Sequence, residues 1–302
     1  MKAKLAWLSA AMLLCCCGVQ SANRPAVSPT PEPSLAPSPS SAQIASPAAP
    51  ASTTSHVFVI VMENRGYDQA MGGRYISHLA QQYAAATNYH AVGYPSLPNY
   101  LALTSGSTWG IADDGYHRLP EQDLGEQLSR AGIPWRAYME GMTAGCLNSP
   151  YPYAVKHNPF AYYGGACPPE VVPFTHFETD MGGGSVPRFV WITPDLCHDG
   201  HDCSTAVADS WLAQTVPKIL ATSAWKDGGL LFITWDEGYN NTNHVLTLVV
   251  RPNPVWHSSS VDYDHYSLLA TIQDHLGVPR LGQAARARPM TDLIASWPVM
   301  LP

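Results

Sequence analysis

Residues 56–64 read HVFVIVMEN, six apolar residues from Val57 to Met62 followed at once by the polar pair Glu63 and Asn64. The run is too short for a stable helix, rich in β-branched residues, and does not alternate. It therefore reads as a strand buried on both faces, the kind found in parallel sheets covered by helices. The rest of the chain agrees. "YISHLAQQYAAA" predicts a helix, "YPSLPNYLALTSG" a second helix opening near Ser96, and "EQDLGEQLSRAG" a third closed by Gly132. "IPWRAYME", "PRFVWITPD", "GGLLFITWDEG" and "HVLTLVVRP" predict strands. "AVADSWLAQTVPKILAT" predicts a helix kinked at Pro217, and "DHYSLLATIQDHLG" a helix capped by Asp264 and stopped by Gly277. Strands alternating with helices specify an α/β fold with a largely parallel central sheet and helices on both faces. Residues 141–184, rich in Gly, Pro and Tyr, read as an excursion over a site.

The chain has 302 residues, and its ends differ in character from its body. Residues 1–22 carry Lys2 and Lys4 before the apolar run "LAWLSAAMLLCCCG", the pattern of an export signal. Two processing routes stay open: a lipoprotein signal ending among Cys15 to Cys17, or ordinary cleavage near Ser21 or Ala22. Residues 23–55, centred on "SPTPEPSLAPSPSS", lack the apolar residues needed for a core and read as a disordered spacer. Residues 56–302 then form one domain large enough for a substantial core, expected as a monomer. Loss of Lys2 and Lys4 with the signal takes the net charge from -7 to -9. This balance argues against a nucleic-acid partner, and leaves a membrane association only through a lipid anchor. Cys146, Cys167, Cys197 and Cys203 remain after the signal. An even number in an exported chain implies two disulfides; of three pairings, nearest-neighbour pairing is expected. No Cys-x-x-Cys spacing is present to suggest a structural zinc site.

In such sheets ligands bind outside the carboxyl ends of the strands. Glu63 and Asn64 follow one buried run, and Asp236 and Glu237 follow another. These oxygen donors, converging from two strands, suit a hard divalent cation. Ser96 stands between Pro95 and Pro98 at a helix mouth. It reads either as an N-cap or as a nucleophile placed where backbone amides and the helix dipole favour a phosphate.

Five ordered stretches, "VIVMENRGYD", "YPSLPNYLALTSG", "KHNPF", "DLCHDGHDCS" and "ITWDEGYN", give the chain a resemblance to the bacterial phosphoesterase family of phospholipases C and secreted acid phosphatases. That family belongs to the alkaline-phosphatase-like superfamily. The compact length looks most like the mycobacterial type of secreted acid phosphatase, which also hydrolyses phosphoinositide monoesters. The resemblance implies a phosphate ester substrate, a metal-bound nucleophile at Ser96, and metal ligands at Glu63, Asn64, Asp236 and Glu237. It implies that His157, Asp199, His201 and Asp202 bind phosphate or supply the leaving group's proton.

The chemistry suits these residue types. A serine hydroxyl is a poor nucleophile until a cation (Mg, Ca, Mn or Zn) lowers its pKa and neutralises the phosphoryl oxygens. Asn99 is expected to donate to a non-bridging oxygen, and His157 or His201 to protonate the leaving group. The remaining histidines, His198, His244, His265 and His275, are expected as caps or surface residues. Of these His265 is the best placed for a site role, and His198 for a second metal. The aromatics of "SPYPYAVKHNPFAYYGG" read as core more readily than as a pocket wall. The resulting expectation is an exported acid phosphatase, with a phospholipase C or a non-catalytic binding protein as the rivals.

Overall fold

The computed structural model describes residues 55–238, 242–253 and 256–295. The expected signal, and all of the spacer before Ser55, lie outside the described residues. Among the described residues nine strands form one sheet: β1 (Val57–Met62), β2 (Ala84–His90), β3 (Trp135–Met139), β4 (Val171–Pro173), β5 (Phe189–Thr193), β6 (Leu230–Trp235), β7 (His244–Val250), β8 (His257–Ser259) and β9 (Tyr263–Asp264). Their order is β4-β3-β5-β1-β6-β7-β2-β8, with β9 also on β2. All pairings are parallel except the two made by β7. β7 runs against β6 because the link from Trp235 to His244 is too short for the crossover that a parallel return requires.

The helices are α1 (Tyr67–Met71), α2 (Arg74–Gln82), α3 (Ser96–Ser105), α4 (Leu124–Arg130), α5 (Phe177–Gly182), α6 (Thr205–Ala221), α7 (Ser223–Lys226), α8 (His265–Leu276) and α9 (Thr291–Ile294). Every residue of β1, β5 and β6 is buried, so both faces of the central sheet are covered. Truncating a core side chain such as Ile60 to alanine would cost about 2–5 kcal/mol. α3 is buried along its whole length and packs on α8. Its end is fixed by Gly106 at φ 71°, where a Cβ would stand 2.3 Å from the Leu281 carbonyl oxygen.

Two local expectations are corrected. The helix predicted through Ala84 to Ala86 ends at Gln82, and those alanines begin β2, pairing with β7 on one side and β8 on the other. Helix propensity in alanine is a weak preference, and the vacant sheet position between two strands overrides it. The 141–184 stretch is not featureless: it supplies β4 at the sheet edge, α5, and three 3-10 turns at Val155–His157, Pro159–Ala161 and Phe174–His176. Phe160, Tyr162 and Tyr163 of this stretch enter the core, as expected, while Tyr151 is exposed. α6 continues through Pro217. The disulfides are Cys146–Cys167 and Cys197–Cys203, the nearest-neighbour pairing.

Candidate active site

Met62 lies opposite Trp235 in the parallel β1–β6 pair. Glu63 and Asp236 therefore leave the sheet side by side at its carboxyl edge, both completely buried. The neighbouring strand β5 adds the loop carrying Asp199, whose carbonyl accepts from the Glu63 amide at 2.9 Å. Three adjacent central strands thus bring three acids to one point.

The mouth of α3 meets this point. Ser96 is 1 % exposed and its hydroxyl donates to Glu63 Oε2 at 3.2 Å. It makes no cap hydrogen bond; the cap position belongs to Pro95, and the Leu97 amide is satisfied instead by Asp114 Oδ1 at 3.1 Å. The plain N-cap reading of Ser96 is therefore corrected. Tyr100, one turn further along α3, donates to Glu63 Oε1 at 2.7 Å and stacks on His157.

His157, delivered by the first 3-10 turn, is 2 % exposed. Its Nδ1 lies 3.1 Å from Asp199 Oδ2 and its Nε2 lies 3.2 Å from Glu63 Oε1. With Nδ1 donating to Asp199, Nε2 is an acceptor facing a carboxylate oxygen, and it has no hydrogen-bond partner among the described residues. Asp236 is similarly incomplete: Oδ1 accepts from the Asn64 amide at 3.1 Å, while the buried Oδ2 has no partner among the described residues. Two orphaned buried acceptors among crowded carboxylates call for a positive charge between them.

The electrostatics agree. Burial, then the fields of Asp236 and Asp199, hold the Glu63 carboxyl well above the usual range. Burial pushes Asp236 up to about 6, against the lowering by the Asn64 amide and the adjacent Glu63 and Ser96 side chains. Glu237 is raised to about 8, by burial and then by Asp236, and Asp199 to about 9, chiefly by burial. His157 is held well below its usual value by burial and by the nearby Lys156. The four carboxyl shifts report the cost of keeping negative charge here without a cation, the situation that a metal ion reverses, and the His157 shift keeps its imidazole neutral, the form that binds a metal. Glu63, His157 and His201 offer donor atoms within 4.8 Å of one another, a group able to hold a metal.

Not every expected residue faces this centre. Asn99 turns back on the loop before α3: Oδ1 accepts from the Val92 and Gly93 amides, both at 3.0 Å, and Nδ2 donates to the Gly93 carbonyl at 2.9 Å. Its one reach toward the acids is 3.4 Å to Glu237 Oε2. Asp202 accepts from His201 Nδ1 at 2.7 Å and is partly exposed, so it orients a histidine rather than entering the pit. His198 pairs with Glu140 and Asp195, a second donor group within 4.8 Å. His265 departs from the cap or surface expectation: it is fully buried, with Nε2 at 2.7 Å from the Asp236 carbonyl and Nδ1 at 3.0 Å from the Tyr89 hydroxyl.

Three participants escape a reading of the sequence. Tyr100 was signalled only by its i+4 spacing from Ser96. Lys156 bonds Asp114 Oδ2 at 3.0 Å and lies 3.1 Å from His201 Nε2. Burial works against its charge, but Asp114 and the fields of Glu63 and Asp236 outweigh this and raise its pKa. Asp114 itself sits in the irregular loop between α3 and α4, where no local pattern marks it.

A model of the Phosphoesterase family matches residues 73–279, a span holding Ser96, His157, Asp199, His201, Asp236 and Glu237. The chain belongs to the phosphoesterase family. It is similar to the phosphatidylinositol-3-phosphatase of Mycobacterium tuberculosis, at 30% identity over 83% of this chain and 86% of that one. It is also similar to a phosphate-repressible acid phosphatase of Penicillium chrysogenum, at 30% identity over 74% of this chain and 59% of that protein. The chain thus spans less than two thirds of the length of that relative, and of two further fungal acid phosphatases. Among solved structures it resembles an alkaline phosphatase superfamily protein from Vibrio parahaemolyticus, with TM-score 0.54, 11% identity, and coverage of 74% of this chain and 67% of that one. This last likeness concerns the fold, and agrees with the mainly parallel sheet. No helix among the described residues is long and apolar enough to cross a membrane.

Proposed function

We propose that this phosphoesterase is an exported, metal-dependent acid phosphatase that cleaves phosphomonoesters through a Ser96 nucleophile. The observation that carries the reading is the Ser96 hydroxyl, buried at the mouth of α3 and 3.2 Å from Glu63 Oε2, among crowded buried acids. Glu63, Asn64, Ser96, Asp236 and Glu237 would hold the divalent cation, with His157 completing the donor set. Mg, Ca and Mn suit the oxygens, and Zn the mixed set that includes His157. When bound, the metal supplies Lewis acidity and lowers the hydroxyl pKa.

The protein's own groups supply the rest. Glu63, fixed by Tyr100, orients the Ser96 oxygen for in-line attack on phosphorus. The ester P–O bond breaks as the Ser96 Oγ–P bond forms, giving a phosphoserine. His201, held by Asp202 and partly open to solvent, is placed to protonate the leaving oxygen. Water, giving a proton to the now neutral His201, then attacks phosphorus from the opposite side; the Ser96 Oγ–P bond breaks, releasing phosphate and the serine. Asn99 keeps the loop before α3 in place, so that Ser96 stays aimed. Two disulfides support an oxidising compartment, and thus export.

The test is release of phosphate from an aryl monoester by metal-loaded protein, repeated with a chelator and with Ser96→Ala. Both treatments should abolish turnover. Activity surviving either one overturns the metal-serine mechanism. Faster turnover of the matching diester would favour a phospholipase C, and no turnover of any phosphoester a binding protein.

A further inference from the structure

Asp114 occupies an odd place for an acid. Glu63, Asp199, Asp236 and Glu237 already crowd the pit, and the Asp114 charge is one of those raising the Glu237 carboxyl. What holds it there is a pair of donors from two elements that flank Ser96. Leu97, the residue after Ser96, donates its amide to Oδ1 at 3.1 Å. Lys156, the residue before His157, donates to Oδ2 at 3.0 Å. Carboxylates and phosphates are bound by the same charge-assisted donors, two oxygens at a time. A phosphoryl group attacked by Ser96 Oγ must lie at the mouth of α3, within reach of the amide that follows Ser96.

We propose that Lys156 and the Leu97 amide receive a non-bridging oxygen of the phosphoryl group, and that Asp114 holds their place with its own carboxylate until substrate displaces it. This inference rests on the phosphoesterase reading above. In the exchange one anion replaces another on the same donors, and the displaced Asp114 carboxylate, already 31% exposed, turns to water. The exchange is also sterically open, since the Lys156 side chain remains 20% exposed. The swap frees a further group. While Lys156 contacts His201 Nε2 at 3.1 Å, that nitrogen can only accept; once Lys156 turns to the phosphate, His201 is available to carry a proton. Asp114 is thus a placeholder that reduces phosphate affinity, and Lys156 the residue that confers it.

The test compares inorganic phosphate as a competitive inhibitor of aryl phosphate hydrolysis, and by titration calorimetry, on metal-loaded full-length variants. If Asp114 fills the place about nine-tenths of the time, Asp114→Asn should tighten phosphate roughly 10-fold, because the competent fraction rises. Lys156→Gln should weaken it at least about 10-fold, the scale of one lost charge-assisted hydrogen bond, and Lys156→Arg should hold it within a few-fold. In the Lys156→Gln background, Asp114→Asn should tighten phosphate by clearly less than in the wild type, since only the Leu97 amide is left to be freed, whereas independent structural roles would simply add. Unchanged or weaker phosphate binding in Asp114→Asn, with a native thermal melt, would overturn the proposal. So would wild-type affinity in Lys156→Gln. Should the wild type hydrolyse no phosphoester, the functional reading fails separately and calorimetry still decides: phosphate binding that tightens in Asp114→Asn supports the placeholder, and its absence in the wild type overturns it.

Discussion

The Tyr100 hydroxyl donates a 2.7 Å hydrogen bond to Glu63 Oε1, one helical turn beyond the Ser96 hydroxyl that donates to Oε2 of the same carboxylate. The two donors come from one face of α3, so the helix that presents the proposed nucleophile also fixes the acid beside it. Tyr100→Phe keeps the ring that stacks on His157 and removes only the donor. Leaving a buried acceptor short of a partner costs about 1–3 kcal/mol. We expect metal affinity and kcat/KM to fall roughly 10- to 100-fold, as for lost outer partners of metal ligands, with little change in circular dichroism. Wild-type values for both quantities would remove Tyr100 from the site.

The Cys197–Cys203 disulfide encloses Asp199, His201 and Asp202 within a separation of six residues. So short a loop contributes little chain entropy, about 2 kcal/mol in the loop-closure model. Its larger consequence is positional, because Asp199 holds His157 and Asp202 holds His201. The double variant Cys197→Ser/Cys203→Ser should therefore lose activity out of proportion to stability. Kinetics and thermal melts on one preparation separate the two: roughly 100-fold lower kcat is expected from an ångström-scale misplacement. Turnover within twofold of wild type would show that the loop holds its shape without the bond.

Asp123 caps α4, accepting from the Gly125 and Glu126 amides, and is almost completely buried. Burial wins over those hydrogen bonds and pushes its carboxyl from 3.8 to about 6. A raised acid pKa means that the fold binds the proton more tightly than the unfolded chain does. Stability from this group is therefore greatest below pH 3.8 and declines until pH passes about 6. Asparagine caps a helix as well as aspartate does and carries no charge. Asp123→Asn should then stabilise the protein at pH 7.5 by about 1–3 kcal/mol, using 1.36 kcal/mol per pKa unit. Near pH 4 the gain should vanish. Melts at the two pH values check this, and an equal shift at both would place the cause outside ionisation.

What could be read from the chain followed from how locally each feature is encoded. The buried runs ending in Glu63–Asn64 and Asp236–Glu237 are visible because a strand buried on both faces leaves its first polar residues at the sheet edge. That the two runs are neighbours, with Met62 opposite Trp235, depends on strand order, which no local pattern carries. The same limit hid β2, whose alanines read as helix until a place between β7 and β8 claims them. It hid Asp114 as well, since a loop acid gains meaning only from the lysine and the amide that meet it. Asn99 shows the converse: its residue type suits phosphate, yet its carboxamide is consumed by the loop that aims Ser96.

His265 closes the centre from behind. It is fully buried, and burial lowers its pKa to about 4, so it is neutral. The Asp236 carbonyl can only accept, so the imidazole proton sits on Nε2 and Nδ1 accepts from Tyr89. This bond fixes the backbone from which the Asp236 carboxylate projects, and makes His265 a positioning residue. His265→Gln offers an amide donor of similar reach, whereas His265→Leu fills the space and leaves the carbonyl unpaired. Metal affinity measured by calorimetry should order as wild type, then Gln, then Leu, with the Leu variant roughly 10- to 100-fold weaker. A purely packing role predicts the reverse: Leu would keep metal affinity, and both variants would differ only in their melting temperatures.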